Sequence, residues 1–121
     1  DEKEDSNLKR EGNNLHYDLY ISMPDAILGS SKEIDVVGGK VRIKLEPGIQ
    51  SGKILRLRNK GLKSLNGPIG DLLVHVNVWT PKTMNKEQKE FFERMRDEEH
   101  FKPNPDKNQK SFFDKVKDMF S

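Results

Sequence analysis

From His16 to Trp79 the apolar residues recur at every second position, in short runs cut by glycine and proline. Successive side chains of a strand point to opposite faces, so this alternation describes strands with one face on a core and excludes an all-helical chain. The runs are HYDLYIS (16–22), SKEIDVV (31–37), KVRIKL (40–45), KILRLR (53–58) and DLLVHVNVW (71–79). In KVRIKL the alternation is strict, with Val41, Ile43 and Leu45 on one face and Lys40, Arg42 and Lys44 on the other. Gly38-Gly39 separates two runs as a hairpin turn signal, and Pro47-Gly48 breaks the next. Gly61, Gly67, Pro68 and Gly70 bracket the short segment KSL. PDAILG (24–29) has room for one helical turn before its glycine stop. Short strands split by turns, with one polar face, predict a mainly β fold: a small antiparallel two-sheet β sandwich with one short helix.

After Pro81 the period becomes helical. Asn85 stands in a capping position with Gln88 three residues on, the spacing of a capping box. The helix that follows carries Phe91, Phe92 and Met95 as its large apolar residues, and Glu90 and Arg94 have the favourable i,i+4 spacing. Pro103-Asn104-Pro105 breaks it. SFFDKVKDMF (111–120) then places Phe112, Val116 and Met119 on one stripe flanked by Phe113 and Phe120, a short amphipathic helix. One or two C-terminal α-helices are therefore expected to follow the sandwich.

Composition narrows the chemistry. With 121 residues the chain suffices for one domain and a short appendage. Only 32% of them are hydrophobic, which predicts a modest core. No stretch approaches the roughly 18 apolar residues of a membrane span, and ten mixed-charge residues at the C-terminus make a poor surface anchor, so no membrane partner is expected. Cysteine is absent, which excludes disulfides, thiolate catalysis and cysteine–zinc sites and fits a reducing cytoplasm. The first residue is Asp1 rather than methionine, as expected of a piece of a longer protein. His16, His75 and His100 have no metal-ligand spacing, and no serine lies in a nucleophile elbow, so neither a metal nor an enzymatic activity is expected. The glycines lack the spacing of a phosphate loop and read as tight turns.

Net charge is +2, but the charge is sorted. Residues 40–63 hold Lys40, Arg42, Lys44, Lys53, Arg56, Arg58, Lys60 and Lys63 against the single acid Glu46. Arg42, Lys44, Arg56 and Arg58 are expected on the outer face of neighbouring strands, where they could follow a phosphate backbone, which makes a nucleic-acid-binding β module the alternative reading. Single-strand binders interleave such bases with aromatic platforms. No Phe, Tyr or Trp occurs between Ile21 and Val78, which favours a solvated sheet face and no nucleic acid partner.

Four collinear stretches resemble a known family: GNNLHYDLYISMPDAILG (12–29), KVRIKLEPGIQSGKILRLRNKG (40–61), GDLLVHVNVWTP (70–81) and MNKEQKEFFERM (84–95). In order and spacing they are similar to the second C-terminal β sandwich and dimerisation helix of bacterial DnaJ-type co-chaperones. Two departures stand out: Leu8 lies near a common phenylalanine, and Asn59 replaces the usual glycine before Lys60-Gly61.

The resemblance implies a domain plan: a linker remnant of a preceding sandwich at 1–11, the client-binding sandwich at 12–81, a dimerisation helix at 82–99 and an extension at 100–121. It further implies binding of unfolded client polypeptides, a homodimer, and delivery of clients to a DnaK-type chaperone through a J domain elsewhere in the parent protein. The J-domain sequence HPD and the CxxCxGxG zinc repeats do not occur in the chain, so no cofactor is expected in these residues, and any zinc would belong to an upstream region. By the same resemblance Leu15, Ile34 and Val36 would line the client groove, although their period-two spacing fits plain core equally. Phe91, Phe92 and Met95 would form the dimer contact or fold back on their own sandwich. Phe112, Phe113, Val116, Met119 and Phe120 would extend that contact or dock elsewhere.

Overall fold

A computed structural model describes residues 8–106 of a chain that divides into two compact units, Asp1–Pro81 and Lys82–Ser121. The first unit contains β1 (Leu8–Glu11), β2 (Asn14–Ser22), α1 (Met23–Leu28), β3 (Ser30–Val36), β4 (Gly39–Leu45), β5 (Ile54–Leu57) and β6 (Leu72–Trp79). The second contains α2 (Lys86–Met95) and a 3-10 turn (Glu99–Phe101). Phe112, Phe113, Val116, Met119 and Phe120, expected on a short amphipathic helix, lie outside the described residues.

Four strands form one sheet in the order β1-β2-β6-β5, and β3 and β4 form a second, two-stranded sheet. The mainly β, two-sheet expectation holds, with one local difference. The central pair β2–β6 is parallel, in register from Leu15↔Leu72 to Ser22↔Trp79, whereas the other pairs are antiparallel. Parallel strands need a long crossover. Here the crossover carries α1, the β3–β4 hairpin and β5, so the smaller sheet is part of the connection between the two central strands.

Leu8–Glu11, expected as linker, is instead an edge strand whose register runs from Leu8↔Tyr17 to Glu11↔Asn14. Its alternation was illegible because only Leu8 of its four residues is apolar.

The core lies between the sheets. The inward row of β6, Leu72, Val74 and Val76, is completely closed off. It packs in one cluster with Leu15, Leu19 and Ile21 of β2, Ala26 of α1, and Ile34, Ile43 and Leu45 of the hairpin. Full burial of each such aliphatic side chain stabilises the fold by about 1.5–3 kcal/mol. This is the small core that the apolar fraction predicts.

Local chemistry sets α1. The Ser22 hydroxyl accepts the Asp25 N–H at 3.1 Å, and Pro24 lies in the first turn, where a missing N–H costs nothing. Gly29 ends the helix at φ +84, and a Cβ there would lie 2.9 Å from the Leu45 carbonyl oxygen. The chain turns sharply into β3 for that reason. Lys32 then reaches back to Asp25 of α1 at 2.6 Å.

Candidate functional site

The β3–β4 hairpin is a sheet of two strands, so among the described residues each pairs only with the other, from Ser30↔Leu45 to Val36↔Gly39. Each therefore has one edge where an extended peptide could add hydrogen bonds. The outward face carries Ser31, Glu33 and Asp35 opposite Lys44, Arg42 and Lys40. The inward face carries Ile34, Val36, Val41, Ile43 and Leu45. Apolar surface returns at the hairpin tip, where Val36 and Val41 are half-buried and Val37 is 59% exposed.

Of the three residues expected to line a client groove, Leu15 and Ile34 are each 4% exposed and belong to the core cluster, on opposite sheets. They offer no open side-chain surface, because the sandwich closes over both inward rows. Val36, half-buried at the end of β3, keeps part of its surface open.

The basic block does not form one face. Arg42 and Lys44 are on β4 and Arg56 is on β5, which belong to different sheets, so the expectation of one shared outer face is corrected. Acids also partner several of the cations. Lys40 meets Asp35 at 2.8 Å, Arg42 meets Glu33 at 3.4 Å and Lys44 meets Glu46 at 3.8 Å. The hydrogen bond to Asp35 raises the Lys40 ammonium above its ordinary pKa. β3 supplies Glu33 and Asp35, acids that precede the block in sequence and that a residue count over 40–63 omits.

Asp71 is the buried acid of the sandwich. Its carboxylate accepts the Arg56 Nε–H at 2.6 Å and the Asn59 backbone N–H at 3.0 Å. The Asp71 backbone N–H donates to the Asn14 side-chain oxygen at 2.8 Å, and its carbonyl accepts the Leu15 N–H at 2.8 Å. The Asn59 N–H first, and then Arg56, hold this carboxyl below its usual pKa. Asn59 itself has φ 62. That left-handed conformation favours glycine and tolerates asparagine best among other residues, which accounts for the family's glycine at this position.

His16 and His75 also meet, at 2.8 Å between His16 Nδ1 and His75 Nε2. His16 Nε2 lies 2.7 Å from Glu11 Oε1. Sequence spacing gave no sign of this contact, because it depends on the parallel β2–β6 register and on β1. Among the described residues no group of three His, Cys, Asp or Glu side chains is arranged to hold a metal ion.

In the second unit, Asn85 and Gln88 form the expected capping box, each side chain bonding the other's backbone N–H at 2.9 Å. On α2, Phe91 and Phe92 meet edge to face with ring centroids 5.3 Å apart, and the Arg94 guanidinium lies 5.8 Å from the Phe91 ring centre. Phe91 remains 42% exposed, while Phe92 and Met95 are half-buried. No described helix is long and apolar enough to cross a membrane.

The profile of the DnaJ C terminal domain matches residues 1–81. The chain belongs to the DnaJ C-terminal domain family. Its relatives carry the name Chaperone protein DnaJ. The protein of Salinibacter ruber is 39% identical over 124 residues, covering all of this chain and 32% of the relative. That of Bacteroides fragilis is 45% identical over 114 residues, covering 93% and 29%, and that of Porphyromonas gingivalis is 47% identical over 103 residues, covering 84% and 27%. The chain thus spans about a third of the length of these relatives.

Proposed function

We propose that the chain is the client-holding and pairing part of a DnaJ-type co-chaperone. The observation that carries this is the family match over the whole sandwich, together with similarity to proteins named Chaperone protein DnaJ along the full chain. The hairpin edges, unpaired among the described residues, support it, because backbone groups at a strand edge bind an extended polypeptide with little regard to its sequence. Val36 would meet the client's side chains directly, while Leu15 and Ile34 would contribute as core residues that shape the sandwich. Phe91, Phe92 and Met95 of α2 would pack against a second copy, an isologous contact of the commonest oligomer type. The parent protein would pass clients to a DnaK-type chaperone in the cytoplasm through its J domain. These residues would need no cofactor, any structural zinc being bound upstream.

The test is a pair of titrations on the 121-residue chain, one with a labelled unfolded apolar peptide and one with a single-stranded oligonucleotide, each at rising salt. Peptide binding that tolerates salt is expected. Tight, salt-sensitive oligonucleotide binding with no affinity for the peptide would overturn the chaperone reading in favour of a nucleic-acid module. For pairing, light scattering should give about twice 14.0 kDa, and Phe92→Asp should return the mass to that of one chain. A wild-type chain that stays monomeric at high concentration contradicts the dimer.

A further inference from the structure

β5 closes one side of the four-stranded sheet, and among the described residues only β6 pairs with it. We propose that the outer edge of β5 is a docking edge for an acidic polypeptide segment, which adds to the sheet as a further strand.

The register decides which backbone groups are open. Val76 N–H donates to the Lys53 carbonyl at 2.9 Å, and Gly52 N–H donates to the Val76 carbonyl at 2.8 Å. In an antiparallel pair, residues that exchange hydrogen bonds alternate with residues that do not. Lys53, Leu55 and Leu57 therefore turn their backbone groups to β6, and Ile54 and Arg56 turn theirs away from it. Two N–H donors and two carbonyl acceptors thus line the outer edge. The Ile54 side chain, 48% exposed, adds apolar surface beside them.

The charge at this edge is of one sign. Lys53 precedes β5, Arg58 follows it, and Lys60 and Lys63 lie just beyond. All four are exposed, and among the described residues none of them forms an ion pair. Asp71, the acid of this region, is taken by Arg56 and by the Asn59 N–H. The hairpin edges differ, because Lys40, Arg42 and Lys44 there are matched by Asp35, Glu33 and Glu46. β1, at the opposite side of the sheet, mixes Lys9 and Arg10 with Glu11.

These two properties select the occupant. A second copy pairing through the same edge would bring two sets of the same cations together, which is how edge lysines keep sheets apart. A nucleic-acid strand would answer the cations, but a phosphodiester backbone has no N–H for the Ile54 and Arg56 carbonyls. An extended peptide supplies donors and acceptors in the spacing of the edge. Aspartate or glutamate along it compensates the cations, and a β-branched residue between the acids packs against Ile54.

The test titrates the whole 121-residue chain with a labelled peptide of alternating aspartate and valine. A lysine–valine peptide of the same length and a single-stranded oligonucleotide of the same charge serve as comparisons. The acidic peptide should bind with an affinity that falls as salt rises, and the lysine peptide should not bind. With the acidic peptide bound, the amides of Ile54 and Arg56 should gain protection from hydrogen exchange. Those of Leu55 and Leu57, already turned to β6, should not change. Lys53→Glu combined with Lys60→Glu should weaken this binding about tenfold in a chain that melts normally. The same double variant should hold the unfolded apolar peptide as wild type does, so this edge and the proposed client edge fail separately. The proposal is overturned if the acidic peptide does not bind, if the lysine peptide binds equally, or if Ile54 and Arg56 gain no protection. It is equally overturned if the folded double variant binds the acidic peptide unchanged, or if the oligonucleotide binds more tightly than that peptide.

Discussion

Arg56 and Asp71 are fifteen positions apart in sequence and 2.6 Å apart in space, and the carboxylate that joins them also accepts the backbone N–H of Asn59. One buried acid thus ties the end of β5, the following turn and the start of β6. The start of β6 in turn meets β2, because the Asp71 main chain bonds Asn14 and Leu15.

The first prediction concerns acid. Asp71 has a lower pKa folded than its ordinary value of 3.8, so the unfolded chain binds the proton more readily. The stabilisation is therefore fully present above that ordinary value and is lost as pH falls through the lowered one. Asp71→Asn should reduce the urea midpoint at pH 7 and flatten its dependence on pH below about 5. Unfolding curves at several pH values check it. An unchanged acid limb in the variant would show that other carboxylates control acid unfolding.

Gly70 lies against Asn13, in the turn that leads into β2. A Cβ there would collide with the backbone carbonyl of Asn13, and a Cβ at Gly61 would lie 2.5 Å from the same oxygen. Backbone cannot yield as a flexible side chain does, and the crossing is locked by hydrogen bonds from Leu62 N–H to Asn13 O and from Gly70 N–H to Leu62 O. Gly70→Ala should destabilise the sandwich by about 3 kcal/mol or leave it unfolded. Thermal melts and soluble yield report this.

Asn59 gives a graded test at one position. Its φ of 62 costs a β-branched residue about 1–2 kcal/mol and costs glycine nothing. Asn59→Val should therefore lower stability by about that amount, and Asn59→Gly should stay within about 0.5 kcal/mol of wild type. The N–H to Asp71 is backbone and survives both changes. Equal losses in the two variants would mean that the asparagine side chain, not its conformation, matters.

The strands were legible because alternation is a local signal, and so were α1 and the Asn85 cap, which depend on residues three or four apart. Pairing partners were not. Nothing in the valines of β6 states that they lie parallel to β2 rather than antiparallel to a near neighbour, since both faces of the pair look alike in sequence. β1 escaped because Lys9, Arg10 and Glu11 carry no apolar alternation, and an edge strand is held by its backbone. The reading of Arg42 and Arg56 as one basic face failed for the same reason: sequence order places them close, whereas sheet order separates them. Leu15 and Ile34 fitted a groove and a core equally well until the second sheet was in place above the first.

That placement separates packing from client contact. Leu15→Ala and Ile34→Ala each open a cavity in the closed core and should cost about 2–5 kcal/mol. Val36, half-buried at the end of its strand, should cost about 1 kcal/mol or less as Val36→Thr, which preserves its shape and its strand preference. Peptide affinity should follow a different order. Val36→Thr should weaken binding of the unfolded peptide in a chain that melts almost normally. The two core variants, measured well below their melting temperatures and corrected for the unfolded fraction, should bind with nearly wild-type affinity. Melting curves and anisotropy titrations on the same samples provide both orders. If Val36→Thr binds as wild type does while Leu15→Ala and Ile34→Ala bind poorly when fully folded, the client meets the inter-sheet layer itself, and the hairpin tip is not where it binds.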